Sequence, residues 1–505
     1  MLISCATQGR KERSLLRENY KSESYEAALK ALENPSIKED KNSILLYFLE
    51  KGQIYFRMGE DELALASFEE AEKIFKEQFT ISLSKKALTW LASDKSDLYY
   101  GRPFERSMNY LYLVLSSINL AQKSKENKKK YLPIARSYVL QWDSFFQELK
   151  RKTAGINTYK EELLLKLVGS FVHLNLENSK DEKIALLLLK DARKVLKQQY
   201  RRYQRYNRKF LLYQQHFHEL HLLKEKEIEE KYVEETENYQ KVVTFIEEMI
   251  KSFDKKTILN NPKKLLVVLR GLIPLRLPKK YNIGLESAFQ KSDSKGKAIL
   301  KGVAISTISV FAATTLGLVP SPNASNALPG TYLGLTTAQL AVENAGISFE
   351  LPHVETNLHF QSLVAYAKNY PDKKINFVLT SPLDEFFQHT VIEEAESLYW
   401  KVGTRLALKH LAAIMTSYAT YQFLKQSSGD FMAKNAALLQ YLALSKAIES
   451  SEQADLRQWG TLPKLVEVAI VEKQDGLVLE GAEKKIDLSG ETEGLLKYPI
   501  LPLFF

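Results

Sequence analysis

Residues 44–76 read ILLYFLEKGQIYFRMGEDELALASFEEAEKIFK. Two runs with apolar residues recurring every three or four positions flank Gly59, and that period predicts a pair of helices. Side-chain size then says how the pair packs. Gly52, Ala64 and Ala71 are small enough to let two antiparallel helices approach closely, while Tyr55 and Phe68 fill the space between them. Gly59 ends the first helix in a left-handed turn, a conformation glycine adopts without steric cost.

The spacing of Gly52, Tyr55, Gly59, Ala64, Phe68 and Ala71 resembles the 34-residue tetratricopeptide repeat (TPR); only its closing proline is absent. Partial copies flank it. SYEAALKALENP at 24–35 resembles the second helix of a preceding repeat, with Pro35 as a stop. LVGSFVHLNLENSKDEKIALLLLKDARKVL at 167–196 places Gly169, Ala185, Leu189 and Ala192 at repeat positions, with extra residues in its turn. Helical periodicity also runs through 108–147. The expectation is an irregular TPR-like α-solenoid over 14–200, since about three such units bury a continuous core. The concave face of a solenoid binds peptides or protein segments, and Tyr55, Arg57 and Asp61 fall on or near it.

At 505 residues, 45% hydrophobic and 26% charged, the chain has the composition of an ordinary folded protein and can form two or three domains. Its formal charge of +10 favours anionic partners, whether nucleic acid, lipid headgroups or acidic glycans. The sole cysteine, Cys5, excludes an internal disulfide, a thiolate zinc site and an iron–sulfur cluster built by this chain alone.

The position of Cys5 carries more information. Leu2-Ile3-Ser4-Cys5 resembles a lipobox, the short motif whose cysteine takes a diacylglyceryl group in bacterial lipoproteins. Export also requires a charged and apolar leader, which four preceding residues do not supply, so the expectation includes a leader upstream. Ala6 after the cysteine points to the outer membrane by lipoprotein sorting patterns.

Residues 200–253 contain neither proline nor glycine, and Tyr203, Tyr206, Phe210, Tyr213, Phe217 and Leu220 alternate spacings of three and four. That is the seam of a long coiled-coil-like helix or a hairpin of two, a segment placed at 200–256. Arg201, Arg202 and Arg205 crowd its start, beside Arg208 and Lys209. The aromatics occupy the packing stripe and cannot also stack on bases, which argues against nucleic acid and for a solvated face or contact with anionic lipid. His216, His218 and His221 form no zinc-protease pattern and read as surface polar residues; no metal or cofactor is expected.

Beyond residue 260 the character changes to an α+β domain running to 505. KKLLVVLRGLIPLRLPKK (263–280) reads as a buried strand leaving through an extended loop. GISFELPHVE (346–355), KINFVLTSPL (374–383) and the alternating stretch 462–488 imply a small sheet. Residues 383–427 read as a helix beginning after Ser381-Pro382. GVAISTISVFAATTLGLV (302–319) carries no charge over 18 residues but is only moderately apolar, so packing on the sheet is preferred to membrane insertion. No phosphate loop, dinucleotide-binding fingerprint or nucleophile elbow is present, and His353, His359, His389 and His410 are scattered.

Two short stretches read as structural junctions, with binding surfaces as the alternative. Tyr99, Gly101, Phe104, Glu105 and Arg106 predict a tight turn into a helix, anchored by Phe104. Asp455, Arg457, Trp459 and Pro463 place a charged pair and an indole where helix gives way to the last strands.

Taken in chain order, the early cysteine, the helix pair at 44–76, YYGRPFERSMNYLYLVLSSINLA (99–121), LLVVLRGLIPLRLPKK (265–280), GISFELP (346–352) and ADLRQWGTLPKLVEVAIV (454–471) resemble a family of bacterial tetratricopeptide-containing lipoproteins. The resemblance implies an outer-membrane lipoprotein facing the periplasm, whose genes in some bacteria neighbour a lipoprotein activator of a peptidoglycan polymerase. It implies no activity and no catalytic residues. The abbreviated N-terminus and the extended helix at 200–253 depart from the family pattern. The function expected is therefore a non-enzymatic scaffold, tethered through Cys5, whose repeats bind cell-envelope proteins. The alternative is a cytosolic regulator that uses the same repeats for proteins and the basic helix for nucleic acid.

Overall fold

The computed structural model describes residues 2–85, 98–152, 159, 161–196, 236–254, 263–283, 347–354, 363–367, 370–451, 454–472, 477–480, 485–487, 495–498 and 500–504. Arg201, Arg202, Arg205, the histidines of HFHELH and the apolar stretch 302–319 lie outside them. The fold is mostly helical, with small sheets in the second half of the chain.

Helices α1 (Leu2–Lys21), α2 (Tyr25–Leu32), α3 (Pro35–Lys38), α4 (Ile44–Met58), α5 (Asp61–Lys85), α6 (Pro103–Gln122), α7 (Lys125–Lys152), α8 (Leu163–Leu174), α9 (Ser179–Val195) and α10 (Thr236–Asp254) occur in chain order. From α4 to α10 each helix packs on the next. Local chemistry sets the boundaries. Gly59 (φ +78°) closes α4, its N–H reaching the Phe56 carbonyl. Pro35 does not merely stop α2; it opens α3, where Asn34 accepts from the Ser36 amide at 3.0 Å. Ahead of α6, Gly101 takes φ +68°, and the Arg102 amide donates to Glu105 Oε2 at 2.7 Å.

The helices differ in how they are buried. α9 hides one stripe, formed by Asp181, Ala185, Leu189, Ala192 and Val195. α8 is buried at every position, and α6 at nearly every position from Phe104 to Ala121. A helix buried all round has neighbours on all sides; α6 and α8 are covered by the adjacent helices and, on the remaining side, by elements of the second half of the chain.

There, β1 (Lys263–Arg270), β7 (Leu465–Glu472), β6 (Val378–Ser381) and β10 (Ile500–Phe504) form a four-stranded sheet in the order β10-β1-β7-β6. β1 runs parallel to β10 and antiparallel to β7. Its side chains alternate between two cores: Leu265, Val267 and Leu269 face the core that also holds α4–α9, and Leu266 and Val268 face a smaller one. The smaller core is shared with the sheet made of β5 (Tyr370–Asn376), β4 (Val364–Ala367), β8 (Leu477–Glu480) and β9 (Lys485–Asp487). Residues from both 14–200 and 260–505 therefore lie in one continuous hydrophobic core.

Two second-half elements differ from expectation. The segment after Gly271 is not a loop throughout: β2 (Arg276–Ile283) pairs antiparallel with β3 (Ile347–Val354), with Pro278 opposite Pro352. Among the described residues this ribbon has two strands, and on an edge facing away from its partner proline's missing N–H costs little. The helix expected at 383–427 is α11 (Leu383–Ser428), but it is half of a hairpin; Gly429 (φ +80°) turns the chain into α12 (Asp430–Ser451), which packs back along it.

Candidate functional site: a polar seam between the helices and the sheet

The helix pair at 44–76 meets at its small residues. A Cβ on Gly52 would lie 2.6 Å from Phe68 Cε1, so the phenyl ring occupies the space a side chain would need. Ala64, Phe68 and Ala71 are fully buried, whereas the Gly59 turn is open around its α-carbon. Phe68 stacks on Tyr112 with ring centroids 5.2 Å apart, and both rings meet the indole of Trp459, a residue of the second half.

That meeting point lies within a polar seam. In α4 the Glu50 carboxylate is buried; its Oε1 accepts from the Gly460 amide at 2.7 Å and its Oε2 from the Thr461 hydroxyl. Arg17 of α1 donates to the Gly460 carbonyl and, at 2.6 Å, to that of Ile273. Burial pushes the Glu50 carboxyl up to about 7, against the opposing pull of the Thr461 hydroxyl, the Gly460 amide, Arg13 and Arg17. Burial also lowers the Arg13 and Arg17 guanidiniums, which Glu50 pulls back up.

The two junction motifs named from sequence form the next part of the seam. The Tyr99 hydroxyl donates to Glu105 at 2.6 Å, and Glu105 Oε1 also accepts from the Trp459 amide at 3.1 Å. Arg457 makes a two-pronged pair with Asp455 at 2.9 and 2.8 Å and donates to the Asn42 carbonyl at 3.1 Å. Gln458 holds the start of β2, accepting from the Arg276 amide at 2.7 Å and donating to the Pro274 carbonyl at 2.9 Å. Farther along, the Ser381 hydroxyl donates at 2.6 Å to Glu162, the capping residue of α8; burial pushes this carboxyl up to about 7, opposed by hydrogen bonds from Ser381, Tyr159 and the α8 amides. Asn175 grips β10's approach with both ends of its amide, donating to the Tyr498 carbonyl at 2.6 Å and accepting from the Tyr498 amide at 2.7 Å.

Charged and amide side chains of the helices thus end on backbone groups of Ala454, Trp459, Gly460, Tyr498 and Ile500. A carboxylate held by amide and hydroxyl donors in a buried interface fixes geometry, because each buried group would cost about 1–3 kcal/mol if left unpaired. The seam recognises a polypeptide backbone, and the backbone it holds is the chain's own.

The residues expected on or near a groove, Tyr55, Arg57 and Asp61, have these surroundings. Asp61 is 4% exposed and turned inward, its Oδ1 accepting from Asn119 at 2.8 Å and its Oδ2 pairing with Lys123 at 3.1 Å. Arg57 donates to the Tyr25 hydroxyl at 2.6 Å, and its guanidinium lies 3.9 Å from the centre of the Phe504 ring. Tyr55 is half-buried against the main core. Asp61 is thus held from α6, and Arg57 from α2 and β10.

Cys5 lies in α1. Among the described residues no group of three His, Cys, Asp or Glu side chains could hold a metal ion, and no helix is long and apolar enough to cross a membrane. Sequence reasoning missed Glu50, Arg17, Glu162 and Asn175. The available signal was a charge in the middle of an apolar helical run, as in FLEKG. Comparison with family models, curated proteins and solved structures finds no match to this chain.

Proposed function

We propose that the protein is a non-enzymatic scaffold of the bacterial cell envelope, a lipoprotein acylated at Cys5, anchored to the outer membrane and facing the periplasm. Its helical array is TPR-like, and the segment its inner face captures belongs to its own C-terminal part. Envelope proteins then bind on the outer surface. The observation that carries this reading is the seam itself: Glu50, Glu105 and Asn175 each hold backbone groups of the second half, as repeat proteins hold peptide ligands. A second observation bears on the outer surface. Leu63 of α5, Leu140 of α7 and Leu187 of α9 are exposed large apolar residues, one on each of three alternate helices.

Two measurements test the reading. Metabolic labelling of the full reading frame with a palmitate analogue should mark the wild-type chain and leave Cys5→Ser unmarked. Pull-downs from solubilised envelopes should recover a partner with the wild-type chain and lose it when Leu63, Leu140 and Leu187 are all replaced by Lys. Absence of label together with fractionation in the cytosol would remove the lipoprotein claim. Unchanged recovery by the triple variant would remove the outer-face claim.

A further inference from the structure

Strand β10 and the residue before its approach cross the ends of three helices in turn. Tyr498 is held by Asn175 at the end of α8, which receives from its amide at 2.7 Å and donates to its carbonyl at 2.6 Å. The Ile500 carbonyl accepts at 3.2 Å from Gln122, the last residue of α6. Phe504 reaches the last turn of α4. There its ring centre lies 3.9 Å from the Arg57 guanidinium, and it meets Phe56 edge-on with centroids 5.7 Å apart. The order is α8, α6, α4, alternate helices touched at the same end of each. Six residues reach at most about 20 Å, which matches two steps between packed helices. On its other side β10 lies parallel to β1, from Leu265 opposite Ile500 to Leu269 opposite Phe504. Among the described residues it is an edge strand, with β1 as its one strand neighbour.

The polar contacts on this segment are made to main chain. Asn175 and Gln122 bind backbone groups and β1 pairs with backbone, so these contacts do not depend on which side chains are presented. Choice comes from burial: Tyr498 and Ile500 enter the main core, Leu501 and Leu503 the smaller one, and Phe504 covers Arg57. Main-chain pairing for affinity with side-chain pockets for selection is how sheet edges take peptide ligands. Asn175 is also fixed within its own helix, donating to the Phe171 carbonyl at 2.9 Å, so part of the clamp persists without the strand. A second copy offers the same segment but must first release it from its own site, breaking as many contacts as it makes. A partner whose segment is free in solution pays no such cost.

We propose that β1 and the ends of α4, α6 and α8 form a peptide-binding site of which β10 is the resident occupant. An extended segment of a partner protein, apolar at the positions of Tyr498, Ile500, Leu501, Leu503 and Phe504, displaces β10 from it. This rests on the reading of the inner face as a captor of extended segments. Acylation at Cys5 and binding at Leu63, Leu140 and Leu187 are measured separately and hold or fail independently of it.

The probe is a fluorescein-labelled peptide of sequence KYPILPLF, residues 497–504, and its binding to the full-length chain is read by fluorescence anisotropy. Ile500→Ala with Phe504→Ala in the chain weakens the resident and leaves the site in place. This variant should bind the peptide at least about tenfold more tightly than the wild type, because the competitor within the chain has lost two apolar anchors. Phe504→Ala alone, at a half-buried position, should shift binding the same way by less, and it carries the comparison if the double variant does not fold. In the weakened chain, Asn175→Ala and Gln122→Ala should each reduce peptide binding about fivefold with helical circular dichroism retained. A peptide carrying Ile500→Asp should not bind. The proposal is overturned if the weakened chain ignores the peptide, if the wild type binds it as tightly as the weakened chain, or if Asn175→Ala and Gln122→Ala leave binding unchanged. It is also overturned if light scattering shows a wild-type dimer that Ile500→Ala with Phe504→Ala dissociates, since the displacing segment would then belong to a second copy.

Discussion

The Trp459 amide donates to Glu105 Oε1 at 3.1 Å, joining residues 354 positions apart in the chain. Glu105 also holds the Tyr99 hydroxyl and the Arg102 amide, so one carboxylate fixes the entry to α6 and the approach to β7. Glu105→Ala strands these buried donors and should cost about 3 kcal/mol. Trp459→Ala removes the fully buried indole packed on Phe68 and Tyr112 and should cost about 3–5 kcal/mol. Urea unfolding followed by tryptophan fluorescence measures the first variant. Circular dichroism measures the second.

Gly52 and Gly59 should respond to alanine in different ways. At Gly52 the added methyl would sit 2.6 Å from the Phe68 ring in a filled core, so Gly52→Ala should destabilise by about 1–3 kcal/mol. Phe68→Leu in the same chain should recover part of that loss, a coupling a double-mutant cycle reads directly. At Gly59 nothing lies within 4 Å, and only the positive φ of 78° opposes a side chain. Gly59→Ala should therefore cost about 1–2 kcal/mol, with no rescue by Phe68→Leu.

The contribution of Glu50 and Glu162 to stability should fall as pH rises from about 4.5 to 7, against an opposite contribution from His410, which burial lowers to about 4. Burial holds the Glu50 and Glu162 carboxyls at about 7 in the folded chain, above their ordinary value of 4.5. In that window the folded chain keeps protons that the unfolded chain has released. The stabilisation is complete below the unfolded value and is lost as pH passes through the folded one. Each carboxyl contributes at most about 3 kcal/mol to the difference. Glu50→Gln with Glu162→Gln keeps neutral side chains of the same shape and should remove this contribution. Chemical unfolding at a series of pH values checks the slope.

Much of the local structure was legible in the residues. The period and small residues at 44–76 give α4 and α5, Gly101 and Glu105 give the turn into α6, and the Leu/Val run at 265–269 gives β1. The seam was hidden because its pairings are non-local. Glu50 in FLEKG looks like an ordinary solvated charge until Gly460 is placed against it, and nothing within helical reach announces a partner 410 positions away. β10 was missed for the same reason: ILPLF carries a proline and no hairpin signal, and it becomes a strand by lying parallel to β1. One clue was available. NYLYLVLSSINLA is apolar around its whole circumference, and a helix of that kind requires cover on every side.

Asn175 shows how the end of the chain is held. Its side-chain amide donates to the Tyr498 carbonyl at 2.6 Å and accepts from the Tyr498 amide at 2.7 Å, the pattern one strand residue offers another. It also donates to the Phe171 carbonyl at 2.9 Å, which ties the grip to the last turn of α8. Asn175→Asp keeps the acceptor but replaces the donor with a charge facing two carbonyls in a buried site, so it should cost more than Asn175→Ala, about 3 kcal/mol against about 2. The loss should be local before it is global: Tyr498 leads directly into β10, whose residues pair with β1 and whose Phe504 covers Arg57. Hydrogen exchange of the peptide spanning 496–504 should accelerate in both variants while α6 and α7 retain their protection. Unaltered exchange there would mean that pairing with β1, and not the asparagine, holds the terminal strand.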